Sequence, residues 1–363
     1  MKKIILSGGG TGGHIYPAVS VAEELKQQFG NQVELLFIGA EGKMEMERIP
    51  ALGYRIEGLP VAGLQRKLSL KNLLLPFKVI RSLSKARKII CDFKPDIVVG
   101  FGGYASAPVL WSAQRMGIRT IIQEQNSYAG LTNKILSKRA EKICVAYDNM
   151  DRFFPSDKIV MTGNPLRGNF TNIESKSDNA YQYFGLDKHK PTLLVTGGSL
   201  GTKTLNSAII HHIDRIVAEQ QFQVIWQTGK YYEAQINEQL AGRNLPNIWR
   251  GAFIERMDYA YSIADVVIAR AGACTVSELS LVGKATIFVP SPNVAEDHQT
   301  KNAQALSSKD AALLIPDSEA IERAIPIAEE LLKSSDKINT LEKNIKQLGI
   351  SDSAKRIVAC LNI

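Results

Sequence analysis

Ser7-Gly8-Gly9-Gly10-Thr11-Gly12-Gly13-His14-Ile15-Tyr16-Pro17, directly after the apolar run Ile4-Ile5-Leu6, decides the architecture of this chain. A β-strand that runs into glycines and then a helix leaves backbone N–H groups unpaired at the positive end of the helix dipole. Glycine lets that backbone approach an anion with no Cβ in the way. The same grammar returns in the second half, where Leu193-Leu194-Val195 leads into T-G-G-S-L-G-T-K-T from Thr196 to Thr204. One such turn is common. Two, each heading a half of similar size, predict a protein that holds two phosphorylated ligands.

Outward from these turns, strand and helix patterns alternate, which is the pattern of parallel α/β architecture. In the first half Ile4–Leu6, Val33–Ile38, Asp96–Gly100, Thr120–Ile122, Ile143–Val145 and Ile159–Met161 read as strands, and Ala18–Phe29 as a helix. In the second half Leu193–Val195, Gln223–Trp226, Asp265–Ile268 and Thr286–Val289 repeat the plan. Each glycine-rich or polar cluster follows a strand, at the carboxyl end where open α/β sheets bind ligands. At 363 residues the chain exceeds one ordinary core, so two domains are expected, 1–163 and 164–344. Pro165 after Asn164 favours a turn, and the polar stretch Asn172–Asn179 follows, placing the hinge nearby. The last 40 residues read as helical, and whether a helix over 345–363 returns to the first domain stays open.

Composition is that of a soluble globular protein, 45% hydrophobic and 22% charged. Cys91, Cys144, Cys274 and Cys360 lack C-x-x-C spacing, which argues for a reducing compartment and against a zinc site or disulfide framework. The start, M-K-K-I-I-L-S-G-G-G, is too short in apolar residues for an export signal and reads as a strand. No run approaches the ~18 apolar residues of a spanning helix. The net charge of +8 is concentrated: from Gly58 to Cys91 there is no Asp or Glu. Arg66, Lys67, Lys71, Lys78 and Arg81 there alternate with Leu74, Leu75, Phe77 and Ile80. Such a mixture suits an anionic bilayer surface as well as an ordinary solvated helix. Pro76 implies two helices or a kinked one. Nucleic acid is not expected, because no recognition motif accompanies the charge.

Gly8-x-Gly10-x-x-Gly13 alone fits a dinucleotide fingerprint, so a nicotinamide enzyme is one reading. Its ribose-binding acid is missing, since the nearest candidate, Glu41, lies 28 residues past Gly13, where ~20 is expected. The second turn does not fit the fingerprint at all.

Seven motifs together carry a resemblance. They are G-G-G-T-G-G-H (Gly8–His14), G-F-G-G-Y (Gly100–Tyr104), Q-E-Q-N (Gln123–Asn126) and G-N-P-L-R (Gly163–Arg167), then G-G-S-L-G (Gly197–Gly201), R-A-G-A-C-T-V-S-E (Arg270–Glu278) and E-D-H-Q-T-K-N-A (Glu296–Ala303). Their order resembles the MurG family of GlcNAc transferases, which convert lipid I to lipid II in peptidoglycan synthesis. The likeness spans residues 4 to about 303 and is highly specific. It implies a GT-B fold, two Rossmann-like domains facing across a cleft, and inversion at the anomeric carbon. It implies UDP-GlcNAc as donor, a lipid I acceptor, and a peripheral place on the cytoplasmic face of the membrane, at its anionic inner leaflet. No cofactor is expected to be tightly bound, while stimulation by a divalent metal is left open. Partners among cell-wall or division proteins, and oligomeric state, are not legible.

The resemblance also implies roles. The donor sits mainly on the second domain, with Ser199 and Ala273-Cys274-Thr275 at its diphosphate and Arg167 approaching from the hinge. Glu278 would hold the ribose hydroxyls, and Ile254 would present backbone to uracil. Gln299 and Asn126 would bond the GlcNAc hydroxyls, and Thr11, Gly12 and Gly13 would also touch the donor. The lipid acceptor's diphosphate would lie at the two glycine clusters, Gly9, Gly10, Gly12 and Gly13 with Gly102 and Gly103, and beside Tyr104. An inverting transfer needs a base for the attacking hydroxyl. His14 is the candidate, since imidazole titrates near working pH, and Glu124 is its rival. Bland readings stand beside these. Asn126 and Ser199 are also favoured helix caps, and Glu278 could simply complement a helix dipole. A UDP-GlcNAc epimerase and a non-catalytic lipid-binding scaffold are further functional alternatives.

Overall fold

A computed structural model describes residues 1–61, 75–166, 170 and 173–363. The chain forms two units, Met1–Arg167 with Asp352–Ile363, and Gly168–Ser351.

The first unit runs β1 (Lys2–Ser7), α1 (Gly12–Phe29), β2 (Val33–Ala40), α2 (Glu45–Ala51), β3 (Ile56–Leu59), α3 (Leu75–Phe93), β4 (Ile97–Gly100), α4 (Ser106–Arg115), β5 (Arg119–Glu124), α5 (Leu131–Ser137), β6 (Lys142–Val145) and β7 (Ile159–Met161). The seven strands form a parallel sheet in the order β3-β2-β1-β4-β5-β6-β7. Strand periodicity divides the core. Ile4 and Leu6 pack on one face with Ile15 and Val19 of α1, while Ile5 packs on the other with Ile90 of α3 and Val109 of α4. Both faces are covered, so the strand reads as a continuous apolar run. Each such side chain contributes about 1.5–3 kcal/mol on burial.

The second unit runs α6 (Asp178–Phe184), β8 (Thr192–Thr196), α7 (Lys203–Glu219), β9 (Gln223–Gln227), α8 (Glu233–Gln239), β10 (Ile248–Gly251), α9 (Met257–Ile263), β11 (Val266–Ala269), α10 (Ala273–Val282), β12 (Ala285–Phe288), α11 (His298–Ser307), β13 (Leu313–Leu314), α12 (Ala320–Leu332) and α13 (Ser335–Lys346). Its six strands are also parallel, in the order β10-β9-β8-β11-β12-β13. The last helix, α14 (Ser353–Ala359), returns to the first unit. There Ile357, Val358 and Leu361 join the α1 side of the core, and Arg119 Nη2 donates to the Leu361 carbonyl at 2.9 Å.

Two expectations shift. The return begins at Asp352 rather than 345. Ile345 is fully buried in the second unit, and Gly349 lies so close to the Ser280 backbone that a Cβ would sit 2.7 Å from its carbonyl oxygen. The first boundary falls after Arg167 rather than after 163. α3 is described from Leu75 onward, and the residues before it, on which the two-helix or kinked-helix expectation at Pro76 depends, lie outside the described residues. Of the expected membrane residues, Arg66, Lys67, Lys71 and Leu74 lie outside the described residues, as does the side chain of Leu75. Phe77 and Ile80 are 71% and 64% exposed on α3, beside exposed Lys78 and Arg81. Among the described residues no helix is long and apolar enough to cross a membrane.

Candidate active site

In each sheet the strand order reverses at one point, between β1 and β4 in the first and between β8 and β11 in the second. Ligands of open α/β sheets bind outside the carboxyl ends of the strands at such points. Ser7 is paired with Gly100, so the turns after β1 and β4 emerge side by side. Thr196 is paired with Ala269, which does the same for the turns after β8 and β11.

In the first unit the two glycine clusters meet on His14. Its Nδ1 lies 3.1 Å from the Gly9 carbonyl and 3.2 Å from Thr11 Oγ1. A carbonyl can only accept, so Nδ1 carries the proton and the neutral ring's lone pair is on Nε2. The ring packs on Gly102 and Gly103, whose missing Cβ atoms would stand 3.2 Å from Nε2 and 3.2 Å from Nδ1 respectively. A Cβ on Gly103 would also come 2.2 Å from the Gly9 carbonyl, and its φ of +79° is a glycine conformation. Only glycine fits there. Tyr104, half-exposed, follows directly.

Thr11 is the extended residue before α1, so Gly12 and Gly13 form the open N-terminal turn of that helix. Gly10 behaves differently from the expectation. Its N–H donates to Glu45 Oε1 at 3.0 Å, so an internal carboxylate already engages the donor that a phosphate was expected to use.

Glu124 is corrected more strongly. It is 2% exposed. Its Oε1 accepts from the Asn126 backbone and side chain, at 3.1 and 3.3 Å. Its Oε2 accepts from Gly130 N and Asn133 Nδ2, at 3.0 and 2.8 Å. Burial pushes its carboxyl pKa up, yet a group enclosed by four donors cannot reach a substrate hydroxyl. Glu124 ties the loop after β5 together, and the rival base falls away. Asn126 is not a helix cap either, because α5 starts at Leu131 with Gly130 before it.

In the second unit, the turn after β8 leads to α7 through Thr202, whose Oγ1 donates to the Gly197 carbonyl at 3.1 Å. Thr202 is the residue before the helix, so exposed Ser199 does not cap it. Behind the turn, Thr196 Oγ1 donates to Gln227 Oε1 at 2.7 Å, and Gln227 Nε2 donates to the Gly198 carbonyl at 3.3 Å. Ala273, Cys274 and Thr275 form the first turn of α10, after Gly272. That turn contains no acid, so Glu278, one turn further on, is not there to offset the dipole. Tyr261 donates to Glu278 Oε2 at 3.3 Å. Desolvation pushes the Glu278 carboxyl up to about 7 and, with the nearby Glu278 charge, the Cys274 thiol up to about 12. Ile254 is buried in the loop after β10.

Gln299 is the second residue of α11, and its Oε1 accepts from Ser291 N at 2.8 Å. The residues before it, Glu296 and Asp297, have φ of +55° and +51°. Two consecutive non-glycine residues there store strain of about 1–3 kcal/mol each, of the kind that clusters at functional sites. Arg167 lies outside the described residues. Among the described residues no cluster of three or more His, Cys, Asp or Glu is arranged to hold a metal ion.

Sequence reasoning missed Glu45, Asn133, Gln227 and Tyr261. Each acts across a fold-dependent distance on a residue that the motifs do reveal.

Two Rossmann-like units, each with a glycine turn at its strand-order reversal, define the GT-B fold, and the family models place the chain among glycosyltransferases. Residues 4–145 match the glycosyltransferase family 28 N-terminal domain, and residues 192–357 its C-terminal domain. A relative from Parabacteroides distasonis, named UDP-N-acetylglucosamine–N-acetylmuramyl-(pentapeptide) pyrophosphoryl-undecaprenol N-acetylglucosamine transferase, is 53% identical over 98% of this chain and 96% of its own. The crystal structure of Acinetobacter baumannii MurG superposes with a TM-score of 0.79 at 28% identity, over 100% of this chain and 99% of that one. The UDP-GlcNAc 2-epimerase of Neisseria meningitidis, bound to UDP-GlcNAc, shares the fold at 14% identity, with a TM-score of 0.68 over 100% of both chains. This chain belongs to the MurG family.

Proposed function

We infer that the chain transfers GlcNAc from UDP-GlcNAc to the MurNAc 4-hydroxyl of undecaprenyl-pyrophosphoryl-MurNAc-pentapeptide, lipid I, with inversion, giving lipid II and UDP. The observation that carries this reading is identity above one half to a GlcNAc transferase of that name along nearly the whole chain. His14 removes the hydroxyl proton on Nε2 as the oxygen attacks C1 and the C1–O bond to UDP breaks. Charge that develops on the leaving diphosphate is taken by the N-terminal turn of α10 and by the Ser199 turn, which supply N–H groups without reorganisation. Glu278 accepts from the ribose diol, the geometry a carboxylate's two oxygens suit. Asn126 and Gln299 bond the GlcNAc hydroxyls, the Ile254 backbone meets uracil, and Arg167 completes the phosphate contacts. Gly12, Gly13, Gly102 and Gly103 hold the acceptor's diphosphate, with Tyr104 beside it. No tightly bound cofactor takes part in this scheme.

The direct test is turnover. Purified protein should release UDP only when both UDP-GlcNAc and a lipid I analogue are present, and the product should carry GlcNAc. Consumption of UDP-GlcNAc without acceptor would instead mark an epimerase.

The acceptor's polyprenyl tail stays in the bilayer and the donor is a water-soluble nucleotide sugar, so the enzyme works peripherally at the cytoplasmic face. Phe77 and Ile80 enter the headgroup region, and Lys78 and Arg81 meet anionic lipid. Each cation there contributes about 1 kcal/mol. Vesicles rich in phosphatidylglycerol should therefore bind the wild type, and Phe77→Asp with Ile80→Asp should lower that affinity at least about tenfold. UDP affinity should not change, and unaltered vesicle binding would move the docking face elsewhere.

A further inference from the structure

We propose that Glu45 is a positioning residue for the acceptor, holding the first glycine turn in its ligand-ready form from inside the protein. The inference rests on the reading of that turn as the acceptor's diphosphate site. Glu45 starts α2 and is 1% exposed. Its Oε1 accepts from Gly10 N at 3.0 Å and from Ala40 N at 3.0 Å. One oxygen thus bridges the turn after β1 and the end of β2. Gly10 sits at φ +88° in this arrangement.

The glycines around it are shaped to the carboxylate. A Cβ on Gly9 would lie 2.1 Å from Glu45 Oε1, and one on Gly39 would lie 2.6 Å from Glu45 Cγ. Gly9 therefore leaves room for a side chain of its own protein, not only for a phosphate. The second oxygen, Oε2, is buried without a hydrogen-bond partner. A half-satisfied buried carboxylate is expensive, and such exceptions call for an explanation. The turn's shape requires the Oε1 bridge, and the unpartnered Oε2 is its cost.

The second turn makes the contrast. There the equivalent support is neutral: Gln227, 3% exposed, grips the Gly198 carbonyl through its amide. A carboxylate takes up an N–H in the first turn, whereas an amide spends a carbonyl in the second. The Gly198 N–H is engaged as well, but by the neutral Thr196 hydroxyl at 3.3 Å, so of these two supports only the first is a charged group, and the first turn is left to offer Thr11 to Gly13.

The test is a set of variants assayed with both substrates. Glu45→Ala should raise the acceptor KM by about tenfold or more, the cost of one charge-assisted hydrogen bond. Donor KM and UDP Kd should stay within about twofold. Glu45→Gln keeps a carbonyl oxygen for both N–H groups and should restore the acceptor KM to within about fivefold of wild type. Gly9→Ala supplies a check that does not depend on Glu45→Ala folding well. Its Cβ must displace the carboxylate, so it should raise the acceptor KM as Glu45→Ala does. Added to Glu45→Ala it should cost nothing more, because the space is then vacant. An unchanged acceptor KM in Glu45→Ala, equal losses for both substrates, or additive losses in the double variant would each overturn the proposal. Failure of the transferase reading would appear differently, as absence of acceptor-dependent turnover in the wild type.

Discussion

Replacing His14 with alanine is expected to lower kcat by about 10²–10⁴, the usual contribution of a general base. That is about 3–5 kcal/mol of transition-state stabilisation. UDP affinity should hold, since the nucleotide is bound by the second unit in this scheme. The argument rests on the tautomer. Were Nδ1 unprotonated, its lone pair would face the Gly9 carbonyl 3.1 Å away, two acceptors in contact. With Nδ1–H donating to Gly9, Nε2 holds the lone pair that the reaction needs. His14→Asn separates this role from simple positioning, because the asparagine amide can donate where Nδ1 does yet cannot accept a proton. It should be as slow as His14→Ala. The acidic limb of the wild-type kcat/KM profile, where the imidazole is protonated, should also vanish in both variants. A His14→Asn enzyme with near-normal kcat would reduce His14 to a hydrogen-bond donor.

The residues proposed to do chemistry were legible because the motif that carries them is local. A glycine turn and its following His14 fall within one stretch of sequence, and the strands that feed them are buried apolar runs such as Ile97-Val98-Val99. The strands that escaped notice, β3, β10 and β13, all lie at sheet edges. Edge strands are paired on one side only, so their side chains need not be apolar: β3 reads Ile-Glu-Gly-Leu and β10 Ile-Trp-Arg-Gly. The support under the site was hidden for another reason. Glu45 meets Gly10, Gln227 meets Gly198, and Tyr261 meets Glu278 only after helices and strands have been stacked. No short motif contains both members of such a pair. The assignment of Glu124 as a rival base failed in the same way, since the four donors that enclose it come from the loop after β5 and from Asn133 of α5, whose meeting the sequence does not spell out.

Donor binding should weaken as the solution is acidified, and Glu278 should be the cause. Its carboxyl, held up to about 7 by desolvation, is neutral below that pH and charged above it. Ribose hydroxyls donate most strongly to the charged form, so UDP selects the carboxylate and binding expels a proton from the acid. From about pH 8 down to about pH 6, UDP Kd should rise, steepening toward about tenfold per pH unit well below the carboxyl pKa. The Cys274 thiol, pushed up to about 12, keeps its proton throughout and contributes nothing to the slope. Glu278→Gln should bind UDP about 10- to 100-fold more weakly at high pH, the worth of a charged hydrogen-bonding partner, and its Kd should be flat with pH. Stability runs the opposite way. A carboxyl whose folded pKa is raised above the ordinary 4.5 adds stability that is complete below that value and is lost as pH rises through about 7. The apoenzyme should thus gain from this group in acid where it binds donor worst, and UDP should raise the melting temperature more at pH 8 than at pH 6, since stabilisation grows with the logarithm of free ligand over Kd and reaches about 2.7 kcal/mol at a hundredfold excess. Calorimetric titration in buffers of different ionisation enthalpy would measure the released proton directly. A wild-type Kd that does not move between those pH values would show that Glu278 does not meet the ribose.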